Sequence, residues 1–297
     1  MNPPVLSLAG GTAVQHCATG PGPACGTGSW NLPTAENLCQ VVHNVPVNAE
    51  YRHLVLEAPP AALTARPGQF FHLTCPPSGD DTPYLRRPMS VYRVDRAAGR
   101  IEFLYKVQGA GTRGLATLEP GGVLDAFGPV GVGFTLPPGC RHVLILARGV
   151  GLATMAPLAE QAIGAGAAVT AILSARSRDL VMSEDYLRKV GARVLVVHDE
   201  DGSSAVARVE ALVRQEHARQ SFGLLTTCGS SRLLQLLQSL GTEWNVPGQV
   251  ALEQQMGCAL GMCFACVRPF RKQADSAETS YRRVCWDGPV FDLQETV

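Results

Sequence analysis

Four of the ten cysteines in this 297-residue chain stand at a spacing that can hold metal. Cys258, Cys263 and Cys266 lie in the run Met256-Gly-Cys-Ala-Leu-Gly-Met-Cys-Phe-Ala-Cys266, and Cys285 follows after 18 intervening residues. C-x4-C-x2-C with a distant fourth cysteine is the plant-type [2Fe–2S] spacing, although the last gap is shorter than expected of a ferredoxin. Each iron takes two thiolates, so a short loop must wrap the cluster and aim its amide N–H groups at the sulfurs. Gly257 and Gly261 suit such a loop, and Cys285 closes it from a separate segment. Four cysteines with one CxxC also fit structural zinc, though zinc ribbons usually carry two such knuckles. A cluster would make the chain an electron carrier, and zinc would make it a scaffold.

Four other runs could hold phosphate-bearing ligands. Tyr84-Leu-Arg-Arg-Pro-Met-Ser90 sets Arg86 and Arg87 just before an expected strand, where guanidinium groups can pin a phosphate. Pro88 and Met89 follow, and Ser90 offers a hydroxyl and an amide. In Lys106-Val-Gln-Gly-Ala-Gly-Thr112, Gly109 and Gly111 let backbone approach a ligand, and Thr112 is expected to open a short helix over 112–118. Taken singly, arginine pairs are commonly solvated surface and glycine-rich turns are usually only turns. Arg148-Gly-Val-Gly-Leu-Ala-Thr-Met-Ala-Pro157 reads as strand, glycine turn and helix, with Gly149 and Gly151 at the turn, but it is not a GxGxxG. Leu225-Thr-Thr-Cys-Gly-Ser-Ser231, with Cys228 and Gly229, repeats that plan. Both turns are expected at one sheet edge, where open α/β sheets bind ligands. Cys228 reads as a buried thiol without an activating base, and no residue is singled out as an acid, base or nucleophile. Arg176 follows a strand and could meet a ribose 2′-phosphate, though a solvated arginine is the commoner reading.

The elements that must position these residues fall into two patterns. Short apolar or alternating segments at 39–45, 51–57, 70–75, 90–94, 100–107 and 122–127 suggest an antiparallel barrel or sandwich. From 141 to 255 the pattern becomes strands at 142–147, 168–173, 194–198, 223–227 and 249–252 alternating with helices at 153–164, 184–190, 205–219 and 231–240. That alternation implies a parallel sheet with a nucleotide-binding crevice. The expected division is a Gly/Pro-rich extension at 1–37, an antiparallel β-barrel domain at 38–138, a doubly wound α/β domain at 139–256 and a small cluster module at 257–297. His16, Cys17, Cys25 and Cys39 match no metal-ligand spacing.

Bulk composition excludes several function classes. Net charge is zero and no Lys/Arg run occurs, so a nucleic-acid partner is not expected. No apolar stretch is long enough to span a bilayer. The N-terminus has no basic start or apolar core, and the cysteines form no disulfide framework, so a cytoplasmic protein is expected.

Taken in order, Gly68-Gln-Phe70, Arg87-Pro-Met-Ser90, Gly109-Ala-Gly-Thr112, Gly128-Pro-Val-Gly-Val-Gly-Phe134, Gly149-Val-Gly-Leu, Asp201-Gly-Ser203, Cys228-Gly229, the Cys258 loop and Cys285-Trp-Asp-Gly-Pro-Val-Phe291 resemble the ferredoxin–NADP reductase superfamily. Over residues 38–297 the chain more closely resembles the electron-transfer subunits of class 1B dihydroorotate dehydrogenases. The resemblance implies FAD in the barrel domain, NAD(H) or NADP(H) on the α/β domain and a [2Fe–2S] cluster on Cys258, Cys263, Cys266 and Cys285. It implies that Arg87 binds the flavin pyrophosphate, with Pro88, Met89 and Ser90 near the isoalloxazine. Gly109, Gly111 and Thr112 would hold the flavin phosphates, and Gly149, Gly151, Cys228 and Gly229 would line the nicotinamide side. The implied partner is a catalytic dehydrogenase subunit, with FMN as its candidate cofactor. A reductase or diaphorase subunit of another multi-subunit oxidoreductase, and a zinc-binding scaffold, are the alternatives. The chain departs from the superfamily at Met89, where an aromatic is common, at Ala147-Arg148, where glycines are common, and at Thr154-Met155, an insertion.

Overall fold

The computed structural model describes residues 34–273 and 276–297; the motif around Cys17 and Cys25 lies outside them. Among the described residues, β1 (Ala35–Pro46), β2 (Tyr51–Glu57), β3 (Phe70–Leu73), β4 (Arg87–Ser90), β5 (Arg93–Asp95), β6 (Arg100–Lys106) and β7 (Val123–Val130) form one antiparallel sheet, ordered β4-β3-β7-β1-β2-β6-β5. Its two edge strands belong to one bent segment. At the corner, Val91 N–H donates to Gln69 O at 3.0 Å and Tyr92 N–H donates to Glu102 O at 2.9 Å. The segment thus pairs with β3 at one end and β6 at the other, and the sheet closes into a barrel. The single strand expected over 90–94 is therefore two strands flanking a corner.

Side chains alternate across these strands. Leu54 and Leu56 on β2, and Ile101, Phe103 and Tyr105 on β6, meet Phe71 and Leu73 inside the barrel. The helix α1 (Ala110–Ala116) closes one end with Leu115, and Asn44 Nδ2 donates to Leu115 O at 2.8 Å. It starts two residues before the expected position, with Gly109 as its cap. Thr112 sits inside the first turn rather than opening it, and its Oγ1 accepts from the N–H groups of Gln108 (2.9 Å) and Gly109 (3.1 Å).

The second sheet is built from β8 (His142–Arg148), α2 (Gly151–Gly164), β9 (Ala168–Ala175), α3 (Glu184–Lys189), β10 (Arg193–His198), α4 (Val206–Arg219), β11 (Leu224–Cys228), α5 (Ser231–Trp244) and β12 (Gly248–Ala251). Its parallel order is β10-β9-β8-β11-β12, so the winding reverses between β8 and β11. Val143, Ile145 and Ala147 bury against α2 and α3, while Leu144 and Leu146 bury against α4 and α5. Both faces are covered, as the continuous apolar run of β8 requires. The C-terminal segment adds a hairpin of β13 (Val267–Arg271) and β14 (Thr279–Arg283), a helical turn α6 (Val284–Asp287), and β15 (Val290–Asp292), which pairs antiparallel with β12.

His72 on β3 is buried beneath Arg86 and Arg87. Burial, then the two arginines, lowers its pKa from 6.5 to about 4. Between those values the unfolded chain binds more protons than the folded one, so stability falls as pH drops from 6.5 toward 4. We predict that His72→Gln removes a loss on the order of 3 kcal/mol across that window, read by urea unfolding at stepped pH.

Candidate functional site

The four cysteines converge in two pairs. Cys258 lies with Cys263 and Cys266 with Cys285, each pair joined by an amide-to-sulfur hydrogen bond. Among the described residues, no three His, Cys, Asp or Glu side chains converge on a point one ion could occupy. That donor set fits two metals with two thiolates each better than one tetrahedral zinc. The loop also supplies amide donors. Leu260 and Cys263 N–H each reach Cys258 Sγ at 3.4 Å, and Cys285 N–H reaches Cys266 Sγ at 3.3 Å. Ala259, Gly261 and Phe264 all take positive φ, which turns successive N–H groups inward. For Ala259 and Phe264 that conformation costs roughly 1–2 kcal/mol each, strain that clusters at ligand sites.

Charge balance points the same way. Burial pushes the Cys258 thiol up, but the amides of Cys263 and Leu260 outweigh it and hold the group down at about 7. The Cys285 thiol is pushed up, first by burial and then by the neighbouring Cys266. Two adjacent buried sulfurs cannot both ionise cheaply, and a bound cation would supply the missing charge. Arg283 braces the loop: its side chain grips Asp287 at 3.0 and 3.1 Å, and Nη1 donates to Gly261 O at 3.4 Å.

A cavity of about 690 Å³ lies between the barrel mouth and the parallel sheet. The barrel contributes Arg87, Pro88, Met89, Ser90, Gln108 and Thr112, while Val150, Ala153 and Thr154 come from the start of α2. Residues 252–256 and Pro289 complete the wall. The two expected phosphate-binding arginines behave differently. Arg86 is bound to Asp125 and faces Glu36 at 3.6 Å, so its charge is already matched. No carboxylate pairs with Arg87 among the described residues, and its guanidinium lies against α1. A Cβ on Gly111 would stand 2.7 Å from Arg87 Nε, so this approach needs glycine. Gly109 caps α1 beside Thr112. An unmatched cation at the edge of a partly apolar cavity suits an anionic cofactor.

The turns after β8 and β11 meet at the sheet edge. A Cβ on Gly229 would lie 2.2 Å from Arg148 O, and one on Gly151 would lie 2.7 Å from Cys228 O. Gly149 and Gly229 line a smaller cavity of about 220 Å³ with Tyr51, Arg148, Arg176 and Glu253. Cys228 is fully enclosed, and burial pushes its thiol up, so it stays protonated. Thr154, read from sequence only as part of an insertion, joins the two halves: its Oγ1 donates to Ser90 Oγ at 2.7 Å, and its hydroxyl also meets Cys228. Glu253 was not anticipated. It lines both cavities, where surrounding protein pushes its carboxyl pKa up although water still reaches it. Its position just after β12, at the same edge as the two glycine turns, was the available signal.

Known proteins supply an independent comparison. The family model for the iron–sulfur cluster binding domain of dihydroorotate dehydrogenase B matches residues 253–297. The electron transfer subunit of dihydroorotate dehydrogenase B (NAD(+)) from Desulforamulus reducens is 32% identical over 256 residues, covering 86% of this chain and 95% of that protein. The chain belongs to that family of electron-transfer subunits. The Geobacillus sp. member is 33% identical over 259 residues, covering 86% of this chain and 96% of its own length. Among solved structures, a chain of an NADH-dependent reduced ferredoxin–NADP oxidoreductase superposes with a TM-score of 0.73 at 26% identity, covering 88% of this chain and 90% of that one. Ferredoxin–NADP+ reductase from Plasmodium falciparum shares the fold at a TM-score of 0.55 and 12% identity, covering 70% of this chain and 89% of that one.

The paired thiols predict about two irons and two acid-labile sulfides per chain after anaerobic purification. Elemental and sulfide analysis checks this; about one zinc without sulfide would contradict it.

Proposed function

We propose that this chain relays electrons between NAD(H) and a catalytic dihydroorotate dehydrogenase subunit, using FAD in the larger cavity and a [2Fe–2S] cluster on Cys258, Cys263, Cys266 and Cys285. One adjacency carries the reading: residues 252–256 wall the larger cavity, and the chain reaches Cys258 two residues later. When bound, the nicotinamide supplies a hydride, the flavin accepts two electrons and releases them singly, and the cluster carries one at a time.

The chain's own residues bind, orient and shield. Arg87 would neutralise a diphosphate lying over α1, while Gly109, Gly111 and Thr112 shape that floor. Pro88, Met89 and Ser90 would line the flavin ring, and the hydroxyl of Ser90 is oriented by Thr154. Gly149, Gly151, Cys228 and Gly229 would let a nicotinamide approach from the sheet edge. Phe70, Leu104, Val150, Ala153, Met256 and Pro289 make the cavity wall apolar and limit water. No side-chain acid or base is required for hydride transfer, so these residues are ligands and positioners. Substrate oxidation would take place on the partner.

Leu260, Met262 and Phe264 surround the exposed Cys263 at 39%, 76% and 64% exposure, an apolar rim suited to a docked partner. On this reading residues 38–138 form the flavin domain, 139–256 the nucleotide domain and 257–297 the cluster module, with 1–37 an extension. A cytoplasmic location belongs to the proposal, supported by eight described cysteines that form no disulfide. No helix among the described residues is long and apolar enough to cross a membrane.

The test is an anaerobic visible spectrum before and after NADH. Flavin and iron–sulfur bands that both bleach are expected. Bands that bleach with dithionite alone would remove the nicotinamide site from the proposal.

A further inference from the structure

The carboxyl edge of the parallel sheet carries two arginines, each held by a carboxylate. Arg148, at the end of β8, reaches across β9. Its Nη1 donates to Ser174 Oγ at 2.8 Å, and its guanidinium grips Asp199, just past β10, at 3.2 and 2.7 Å. Asp199 also accepts from Ser204 Oγ. Arg176, just past β9, is held by Glu50 from the turn between β1 and β2. Lys106 Nζ holds the other oxygen of Glu50 at 2.9 Å. Arg148 and Arg176 both line the smaller cavity beside Gly149 and Gly229.

In doubly wound sheets, residues past the second strand read the adenosine ribose. An acid there accepts from a 2′-hydroxyl, and an arginine pairs with a 2′-phosphate. By residue type alone, Arg176, just past β9, would favour the phosphorylated nucleotide, and Arg148 in the same cavity wall adds a second cation. Their surroundings reverse that expectation, because each guanidinium is already matched by a carboxylate that would remain beside an incoming phosphate.

We infer that Glu50 and Asp199 are specificity-determining residues that exclude a 2′-phosphate and restrict this chain to NADH, by occupying the two arginines that would otherwise bind NADPH. The inference rests on the nicotinamide site proposed above. Discrimination here is repulsive: a 2′-phosphate must displace two ion pairs and then face two carboxylates. A 2′-hydroxyl can instead donate to either carboxylate.

The experiment compares kcat/KM for NADH and NADPH, read as anaerobic reduction of the flavin in the holoprotein. The set is wild type, Glu50→Gln, Asp199→Asn, the double variant and the double variant carrying Arg176→Ala. Calorimetry with 2′,5′-ADP and 5′-AMP reads binding of the ribose end without any turnover. Wild type is expected to favour NADH. Each neutralised carboxylate should move the NADPH-to-NADH ratio toward NADPH by about tenfold, mainly through KM, and tighten 2′,5′-ADP relative to 5′-AMP. Arg176→Ala should cancel much of that gain. General damage to the fold would lower both activities without moving the ratio. Equal use of both nucleotides by wild type, or a ratio unmoved by either carboxylate change, overturns the inference and leaves the relay intact. If dithionite reduces the flavin and neither nucleotide does, the nicotinamide site and the inference fall together.

Discussion

Three antiparallel residue pairs, Gln249 with Asp292, Val250 with Phe291 and Ala251 with Val290, hold the C-terminal cysteine segment to the parallel sheet. The rest of the site depends on that seam. Leu252 N–H donates to Pro289 O at 2.9 Å, so the chain leaving β12 is tied to the segment just after Cys285. Phe270 and Phe291 pack with tilted rings whose centroids are 4.3 Å apart, within the core that also buries Cys266 and Cys285. The barrel joins the same seam where a Cβ on Gly131 would lie 2.6 Å from Gly288 O. The cavity wall and the cysteine loop are consequently parts of one packed unit. Electron transfer weakens steeply with separation, so on the proposed reading this shared packing would favour transfer between cavity and loop.

Electrostatics divides the molecule's charges into matched and unmatched sets. The chain is neutral overall, and most arginines at the sheet edge and barrel mouth are paired. Arg87 has no carboxylate partner among the described residues, and it stands where a diphosphate would neutralise it. Burial and the neighbouring Cys266 push the Cys285 thiol up, so it stays protonated unless a bound cation stabilises the thiolate. On the proposed reading, Arg87 and this cysteine pair are the places where a cofactor would supply the balancing charge.

Much of this was legible from residue order. The C-x4-C-x2-C spacing located the loop, and strand–helix alternation located the parallel sheet to within a few residues. Position-specific contacts were less visible. Arg86 and Arg87 are identical in type, and only Asp125 on β7, two strands away, separates a structural ion pair from a cation without a carboxylate partner among the described residues. The bend at Val91 and Tyr92 was hidden because apolar alternation does not register a strand changing partners. Glu253 belongs to no motif and Thr154 is read only as part of an insertion in the Arg148–Pro157 run, and their importance arises only where the barrel and the sheet meet. Arg176 reads from sequence more often as a solvated arginine than as a phosphate ligand, and its contact with Glu50, 126 residues away in sequence, is visible only in the fold.

The central claim is that electrons must cross the cysteine loop to reach the partner. The most direct test reconstitutes Cys285→Ser, loaded with FAD, with the catalytic subunit and follows both flavins after NADH is added anaerobically. The account predicts that the flavin on this chain is reduced at close to the wild-type rate while the partner stays oxidised. Partner reduction at the wild-type rate would contradict it.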